Sequence, residues 1–393
     1  MIHLVTIIGA RPQFIKAAVL SRLIRSEMWK ERFRETIIHT GQHYDDNMSE
    51  VFFREMEIPE PDIHLNVGSG LHGQMTGTML IGIEKELIRL KPDLVLVYGD
   101  TNSTLAGALA ASKLHIPVAH VEAGLRSFYR LMPEEQNRVL TDHLADFLFC
   151  PTSTAVQNLV KEGIINGVHE TGDIMFDASI YYRDKLNNLL AQSTEHMKRS
   201  EIPQGGRAQG TGLRAQGSGH RAQGNQGLED ILNRKDYILA TVHRAENTDD
   251  PGKLSAIVDA FNRLGKNVIL PLHPRTRKLL TEYDLKFKSH VKVIDPVGYF
   301  GMLELEMNCS CIVTDSGGVQ KEAFFLKKPC ITLRDQTEWV ETVEIGWNTL
   351  AGTDPYKIVR AVENAAVPDT WPAFYGDGHC GEKILKILSD RPD

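Results

Sequence analysis

Four carboxylates fall in one short stretch of the sequence, at places where apolar runs end or a helical pattern begins. Asp100 follows LVLVYG, Glu122 follows VAHV, and Glu134 and Glu135 open the segment PEEQNR. Ligands bind at the carboxyl ends of strands in an open parallel sheet, so these acids are expected to converge on one crevice. Several acids in one crevice are typical of general acid/base catalysis.

Each of these acids also has a purely structural interpretation. Asp100 could cap the helix that is predicted to begin at Thr101. Pro133 suits a first helical turn, and Glu134 and Arg138 are four residues apart, which is the spacing of a surface ion pair on a helix.

Two strand-to-helix turns suit an anionic ligand. The first strand ends in Gly9-Ala10-Arg11-Pro12, and the next helix brings Lys16. Free amides at a helix start, together with an arginine and a lysine, would hold phosphate groups. The glycines and the Lys-Ser/Thr pair of a P-loop are missing, and a solvated helix start is the alternative interpretation.

The second turn lies in CIVTDSGGVQKEA, where Asp315, Ser316, Gly317 and Gly318 follow an apolar run. Two glycines allow the backbone to approach a ligand, and the helix start favours a diphosphate. Glu322, in the following turn, could accept hydrogen bonds from a ribose diol. A simple N-cap at a tight turn would explain Ser316 but not the whole set.

Two histidines follow strand-like runs in the second half of the chain. His243, in HRAEN, could donate to a phosphate or transfer a proton, and a capping or core-edge histidine is the alternative. His273, in HPR, resembles it with less support.

The elements that must position these residues are short runs rich in valine, isoleucine and leucine, separated by helical patterns. They are HLVTIIG, ETIIHTG, DLVLVYG, IPVAHVE and DFLFCP, then YILATVH, NVILPLH, VKVIDP, CIVTDS and PCITLR. Continuous apolar strands joined by crossover helices predict α/β domains with buried parallel sheets. We expect two doubly wound, Rossmann-like domains that face each other across a cleft, spanning 1–172 and 173–372. Within the second, 204–227 repeats RAQGTGL, RAQGSGH and RAQGNQG, which predicts a flexible insert rather than an arginine-bearing flap.

Composition narrows the class of protein. A net charge of −7 gives no basic footprint for nucleic acid. Five cysteines, in strand-like runs and without zinc spacing, indicate reduced core thiols. The N-terminal run is interpreted as a first strand rather than a signal peptide, and no window is apolar for long enough to cross a bilayer. We therefore expect a cytoplasmic protein.

Taken together, GARPQFIK, GDTNSTLAG, HVEAGLRS, MPEEQNR, HRAEN, TDSGGVQKEA and YGDGHCGEKI resemble the non-hydrolysing UDP-N-acetylglucosamine 2-epimerases. The resemblance runs in order along nearly the whole chain apart from the insert. It implies a glycosyltransferase-B-like architecture in which a C-terminal helix, within 373–393, returns to the first domain. It also implies a homodimer that interconverts UDP-N-acetylglucosamine and UDP-N-acetylmannosamine for envelope or glycoprotein polysaccharides.

Carried over residue by residue, the resemblance implies catalytic roles for Asp100, Glu122, Glu134 and His243. The nucleotide would be held by Arg11, Lys16, Ser316, Gly317, Gly318 and Glu322. The expected route expels UDP to leave a 2-acetamidoglucal and then adds UDP back after a proton reaches the opposite face of C2. Such a route needs a base, an acid and cations for the diphosphate, and no cofactor or metal is expected.

Four positions depart from the family pattern. Ala10 and Gln13 replace threonine and glutamate, which is expected to alter how Arg11 is oriented. Trp339 replaces a nucleotide-contacting arginine, and Asp173 replaces an asparagine.

Four alternative functions remain open. They are a hydrolytic epimerase, an epimerase of a related UDP-2-acetamido sugar, a UDP-sugar glycosyltransferase, and a nucleotide-sugar-binding protein without activity. The retained carboxylates argue against the last two.

Overall fold

The computed structural model describes residues 1–41, 56–200, 232 and 236–391. The predicted insert at 204–227 lies outside these residues. The chain forms two compact units. Unit 1 combines Met1–Ile180 with Pro372–Asp393, and unit 2 is Tyr181–Trp371.

Unit 1 alternates strands and helices. Its strands are β1 (Ile2–Ile8), β2 (Phe33–His39), β3 (Ile63–His64), β4 (Leu94–Tyr98), β5 (Val118–Val121), β6 (Phe147–Cys150) and β7 (Val168–Glu170). Its helices are α1 (Arg11–Ile24), α2 (His72–Leu90), α3 (Asn102–Lys113), α4 (Pro133–Leu144), α5 (Ser153–Lys161), the start of α6 (Ile174–Ser200) and, from the end of the chain, α14 (Cys380–Ser389).

Unit 2 repeats the alternation. Its strands are β8 (Ile238–Thr241), β9 (Val268–Pro271), β10 (Val291–Ile294), β11 (Cys311–Thr314), β12 (Cys330–Thr332) and β13 (Asn348–Leu350). Its helices, after the remainder of α6, are α7 (Ala245–Thr248), α8 (Pro251–Arg263), α9 (Pro274–Glu282), α10 (Tyr299–Asn308), α11 (Gly317–Phe325), α12 (Val340–Glu344) and α13 (Pro355–Glu363).

Both units contain a sheet whose strand pairs are all parallel. The order is β3-β2-β1-β4-β5-β6-β7 in unit 1 and β10-β9-β8-β11-β12-β13 in unit 2. The predicted α/β class is confirmed, and every apolar run predicted as a strand contains one. The strand order reverses between β1 and β4 and between β8 and β11. In doubly wound sheets the ligand crevice forms at such a reversal.

Most apolar residues of the two sheets are buried. In unit 2, Ile238 and Ala240 pack into one cluster with α8 and α13, whereas Leu239 packs into another with α10 and α11. Alternate residues of β8 therefore face opposite layers of helices, as the period of a strand requires. All five cysteines are buried and unpaired. Within the described residues, no helix is both long and apolar enough to cross a bilayer.

Candidate active site

At the switch point of unit 1, Gln13 joins the carboxyl ends of β1 and β4. Its Oε1 accepts hydrogen bonds from the Gly9 and Ala10 amides at 2.8 and 3.0 Å. Its Nε2 donates to the Tyr98 carbonyl and the Thr104 hydroxyl, both at 2.9 Å. Gln13 thus fixes the turn that precedes α1 by donating and accepting at once, which a carboxylate does not do. The sequence predicted that Gln13 alters the orientation of Arg11. The Arg11 side chain lies outside the described part of the structure, so this stays a prediction.

Lys16 and Glu122, predicted from separate motifs, form an ion pair in which both side chains are buried. Glu122 follows β5 and has a φ of 75°, in the left-handed region that non-glycine residues seldom adopt. Such strain persists where the surrounding structure enforces it, which is common at functional sites. Gly99 leaves room for the pair, because a Cβ there would lie 3.1 Å from Lys16 Nζ and 3.2 Å from Glu122 Oε2.

Asp100 pairs with Arg138, a residue that sequence reasoning assigned to a different partner. Arg138 Nη2 bonds to Asp100 Oδ2, and Arg138 Nη1 lies 3.1 Å from Glu135 Oε2. Asn137 donates to the Asp100 carbonyl at 3.0 Å. The cap of α3 is Thr101, whose hydroxyl accepts from the Thr104 amide, so the capping interpretation of Asp100 is wrong.

The two neighbouring glutamates at the start of α4 have different surroundings. Glu135 is buried and accepts hydrogen bonds from the Ser127 amide, the Ser127 hydroxyl and the Phe128 amide, at 2.8 to 2.9 Å. Glu134 is half-buried, and among the described residues it has no hydrogen-bond or ion-pair partner. The predicted Glu134–Arg138 pair is therefore not formed. Glu135 thus holds the loop before α4, whereas Glu134 makes no such contacts within the described residues.

A layer of buried charges lies below these turns. His120 Nδ1 is 2.7 Å from Asp142 Oδ1, and His120 Nε2 is 2.7 Å from the Gly99 carbonyl oxygen. Arg126 bridges two acids. Its Nη1 lies 2.7 Å from Asp142 Oδ2, and its Nη2 lies 2.6 Å from Glu162 Oε2. Burial alone would raise the pKa of Asp142, but hydrogen bonds and charge from His120 and Arg126 lower it overall.

In unit 2, Asp315 organises the turn that follows β8. It is fully buried and accepts from the backbone amides of His243 and Arg244 at 3.1 and 3.0 Å and from Asn247 Nδ2 at 3.2 Å. His243 Nδ1 lies 3.3 Å from Asp315 Oδ1, and half of the His243 side chain is exposed. Asp315 thus orients the predicted catalytic histidine. His273 caps α9, since its Nδ1 accepts from the Arg275 amide at 3.3 Å.

The Ser316-Gly317-Gly318 turn precedes and opens α11. Ser316 occupies the N-cap position, but its hydroxyl makes no capping hydrogen bond, so capping does not account for this serine. A Cβ at Gly317 would lie 3.5 Å from Trp339 Nε1 and 4.0 Å from Arg244 Nη2. The Ser316 amide donates to Thr314 Oγ1 at 2.9 Å, and the turn places Gly317, the first residue of α11, beside an aromatic and a cationic side chain.

Trp339 packs beside this turn as a buried residue, with 4% of its surface exposed. Lys321 Nζ lies 4.4 Å from the centre of its ring, a cation–π contact. Glu322 is also buried, and its charge adds to the effect of burial in raising the pKa of Glu306 on α10 well above its ordinary value. Asp173 accepts from the Met175 amide at 2.8 Å and so caps the start of α6.

The predicted site residues thus form two groups. Unit 1 holds Lys16, Asp100, Glu122 and Glu134, with Arg11 as the first residue of α1, and unit 2 holds His243, Ser316, Gly317, Gly318 and Glu322. Sequence reasoning missed Asp142 and His120 and gave Arg138 a different partner. His120 had a signal, because it lies in the same motif as Glu122, two residues before it.

The comparisons with known proteins agree on one family. A family model described as UDP-N-acetylglucosamine 2-epimerase matches residues 27–209 and 213–389. The chain is 50% identical over 390 residues to a UDP-N-acetylglucosamine 2-epimerase homolog of Methanococcus maripaludis, covering 98% of this chain and 99% of that one. It is 46% identical over 395 residues to the UDP-2,3-diacetamido-2,3-dideoxy-D-glucuronate 2-epimerase of Pseudomonas aeruginosa, covering 98% and 99%.

A solved structure agrees with these relatives. The crystal structure of Methanocaldococcus jannaschii UDP-GlcNAc 2-epimerase in complex with UDP-GlcNAc and UDP superposes with a TM-score of 0.82 and 43% identity, covering 99% of each chain. The curated protein from the same organism is 46% identical over 394 residues, which covers 98% of both chains.

Proposed function

Since the chain belongs to the UDP-N-acetylglucosamine 2-epimerase family, we propose that it reversibly inverts C2 of UDP-N-acetylglucosamine without releasing free sugar. UDP is eliminated to leave an enzyme-held 2-acetamidoglucal, C2 is reprotonated from the opposite face, and UDP adds back. The products are UDP-N-acetylmannosamine and unchanged enzyme. The elimination and the addition move a proton and UDP but no hydride, so the route calls for no nicotinamide.

The observation that carries the proposal is the pairing of two carboxylates with two cations at adjacent strand ends. Asp100 with Arg138 follows β4, and Glu122 with Lys16 follows β5. A nearby cation favours the ionised form of a carboxylate, and the ionised form is the one that can take a proton from C2. A pair of such groups supports the two proton transfers that inversion requires.

The remaining roles follow from chemistry and position. Glu134, with an uncommitted carboxylate in the first turn of α4, is proposed as the third acid/base group. Lys16 and Arg11 are proposed to stabilise the departing diphosphate. In unit 2, the Ser316 hydroxyl and the Gly317 and Gly318 amides would donate hydrogen bonds to phosphate oxygens. Glu322 would accept hydrogen bonds from the ribose hydroxyls, and His243 would donate to a phosphate oxygen or transfer a proton.

The first test follows the C2 proton by NMR in deuterated water, with UDP-N-acetylglucosamine as the only substrate. The proposal requires UDP-N-acetylmannosamine carrying deuterium at C2. Free N-acetylmannosamine together with UDP would establish a hydrolytic enzyme instead. Transfer of the sugar to an acceptor, without exchange, would identify a glycosyltransferase, and binding without exchange or product would identify an inactive binding protein.

A second candidate substrate is a UDP-2,3-diacetamido uronate. The relative of that name and the Methanocaldococcus jannaschii UDP-N-acetylglucosamine 2-epimerase are each 46% identical to this chain. The two sugars differ at C3 and C6, away from the reacting carbon, so the same carboxylates would serve either. Comparing kcat/KM for the two UDP-sugars decides between them.

The proposal also places the enzyme in the cytoplasm, as a homodimer supplying UDP-N-acetylmannosamine for envelope or glycoprotein polysaccharide synthesis. The family resemblance is its only support. Light scattering during size-exclusion chromatography tests the dimer, and loss of the polysaccharide on gene deletion tests the pathway.

A further inference from the structure

His120 is a fully buried histidine whose two ring nitrogens both face hydrogen-bond acceptors. It lies on β5 with 0% of its surface exposed. Nδ1 is 2.7 Å from a carboxylate oxygen of Asp142, and Nε2 is 2.7 Å from the carbonyl oxygen of Gly99. Neither a carbonyl nor an ionised carboxylate has a hydrogen to give. Both contacts are hydrogen bonds only if both ring nitrogens carry hydrogen.

One other arrangement would satisfy the same distances, namely a neutral ring that accepts a proton from a neutral Asp142. The surroundings of Asp142 oppose it. Its Oδ2 already accepts from Arg126 Nη1 at 2.7 Å and from the Gly124 amide at 3.1 Å. A guanidinium and a backbone amide both favour the carboxylate over the neutral acid.

A positive ring also balances the charges around it. Asp142 and Glu162 are the two acids of the cluster, and Arg126 bridges them with bonds of 2.7 and 2.6 Å. His143 lies at the outer edge of this cluster, with its Nε2 3.8 Å from Glu162 Oε2. On β6, the Cys150 thiol faces the cluster; burial raises its pKa, as do the nearby charges of Asp142 and Glu170 on β7. A second buried cation beside Asp142 therefore compensates an existing negative charge.

The two acceptors that His120 contacts belong to the turns that carry the proposed catalytic carboxylates. Gly99, with φ 62°, precedes Asp100; its carbonyl receives Nε2, and its amide donates to the Val121 carbonyl at 3.0 Å. Asp142, which receives Nδ1, also holds the amide of Gly124, with φ 79°, two residues after Glu122. One ring thus sets the position of both turns.

We propose that His120 is a doubly protonated imidazolium in the folded enzyme and acts as a positioning residue that holds Asp100 and Glu122 in register for proton transfer at C2. This inference rests on the proposed epimerase function. The ring does not touch the substrate, and its protons stay on the ring through the reaction. Its effect is to fix the Gly99 carbonyl and, through Asp142, the Gly124 amide.

Nuclear magnetic resonance of enzyme labelled with nitrogen-15 in its histidines reads the protonation directly at neutral pH. We expect one buried ring, assigned by its absence in His120→Gln, to give the signature of two protonated nitrogens and to exchange slowly with solvent. If the variant does not fold, neutron diffraction from crystals of the wild-type enzyme grown in deuterated water shows whether both nitrogens carry deuterium. A single protonated nitrogen would overturn the proposal.

Kinetics then separate positioning from packing. His120→Gln should lower kcat about tenfold or more, the usual effect of losing a group that orients another, while UDP affinity changes little. Its melting temperature should fall, because Asp142 loses a buried cation, so kcat is measured well below that temperature. His169→Gln, at a part-buried histidine on β7, is the matched control and should keep wild-type kcat. An unchanged kcat in His120→Gln would refute the positioning role, whereas a wild-type enzyme that neither epimerises nor exchanges C2 would refute the proposed function instead.

Discussion

The acids around the carboxyl ends of β4 and β5 in unit 1 differ in their surroundings from Glu306, a buried acid on α10 of unit 2. In unit 1, Glu122, Asp100 and Asp142 each contact a cationic side chain. In unit 2, Glu306 has 1% of its surface exposed, and among the described residues it has no ion-pair partner and a carboxyl oxygen without a hydrogen bond. Its pKa is accordingly raised well above the ordinary value.

The difference reflects what each unit is proposed to do. Taking a proton from C2 requires an ionised carboxylate, and burying a charge is tolerable only when it is paired. A unit that binds a nucleotide receives its negative charge from the ligand. It therefore works with backbone amides at the start of α11, and an additional buried acid remains neutral.

The largest expected effect contrasts the same substitution in the two units. Glu122→Gln should lower turnover about a hundredfold or more, since a positioned base is lost, and UDP affinity should stay close to wild type. Glu306→Gln should leave turnover within about threefold of wild type, because a neutral acid is replaced by a neutral amide. Steady-state kinetics and calorimetric UDP titration measure both, and equal losses of turnover would remove the contrast.

Glu306→Gln should also raise stability at neutral pH. The folded-state pKa of Glu306 lies above its unfolded value, so folding takes up a proton at neutral pH and stability falls as pH rises above about 4. The amide has no proton to take up. The melting temperature of the variant should exceed that of wild type at pH about 7, and the gap should close toward pH about 4. A gap that stays constant with pH would show that Glu306 is ionised when folded.

Asp177, another buried acid of unit 1, tests whether the pairing of acids with cationic side chains is confined to the switch point of that unit. It accepts from the Cys380 and Gly381 amides at 3.1 and 2.8 Å and so caps α14, and burial raises its pKa to about 6. Because the unfolded value is near 4, the wild-type unfolding free energy should fall by up to about 3 kcal/mol between pH about 4 and 6. Urea unfolding of wild type and Asp177→Asn should show this decline in wild type only; parallel curves would contradict the assignment.

The smallest effect concerns Trp339. Trp339→Phe keeps an aromatic face for Lys321 but weakens the cation–π contact, which should cost about 1 kcal/mol of unfolding free energy. Trp339→Arg, which the family pattern suggests would strengthen UDP binding, would place a second cation beside Lys321. It should lower the melting temperature more than Trp339→Phe does. Thermal unfolding and UDP titration of both variants check this, and tighter UDP binding by the arginine variant would show that the position faces the nucleotide.

Sequence patterns predicted the strands that lie in apolar runs, including the three-residue β12, but not β3, β7 and β13. β3, β7 and β13 have two or three residues each, and in β3 and β7 only one is apolar, so they carry no usable periodicity. Predictions for individual residues were wrong where the interaction partner is distant in sequence. Arg138 was assigned to Glu134 from helical spacing, whereas its partners are Glu135 and Asp100, and the latter is brought close by the sheet. Gln13 shows the same limit, since its bonds to Tyr98 and Thr104 depend on β4 lying beside β1.

Unit 1 is built from both ends of the described chain, and this affects the order in which the protein can be completed during synthesis. Gly381 lets α14 approach α1 closely, since a Cβ there would lie 2.7 Å from Leu23 Cδ1 and 3.0 Å from Val19 Cγ1. The ribosome makes residues 181–371 before it makes α14. Unit 2 can therefore fold while α1 still exposes the apolar surface that α14 later covers, and such exposed surface favours aggregation until α14 emerges.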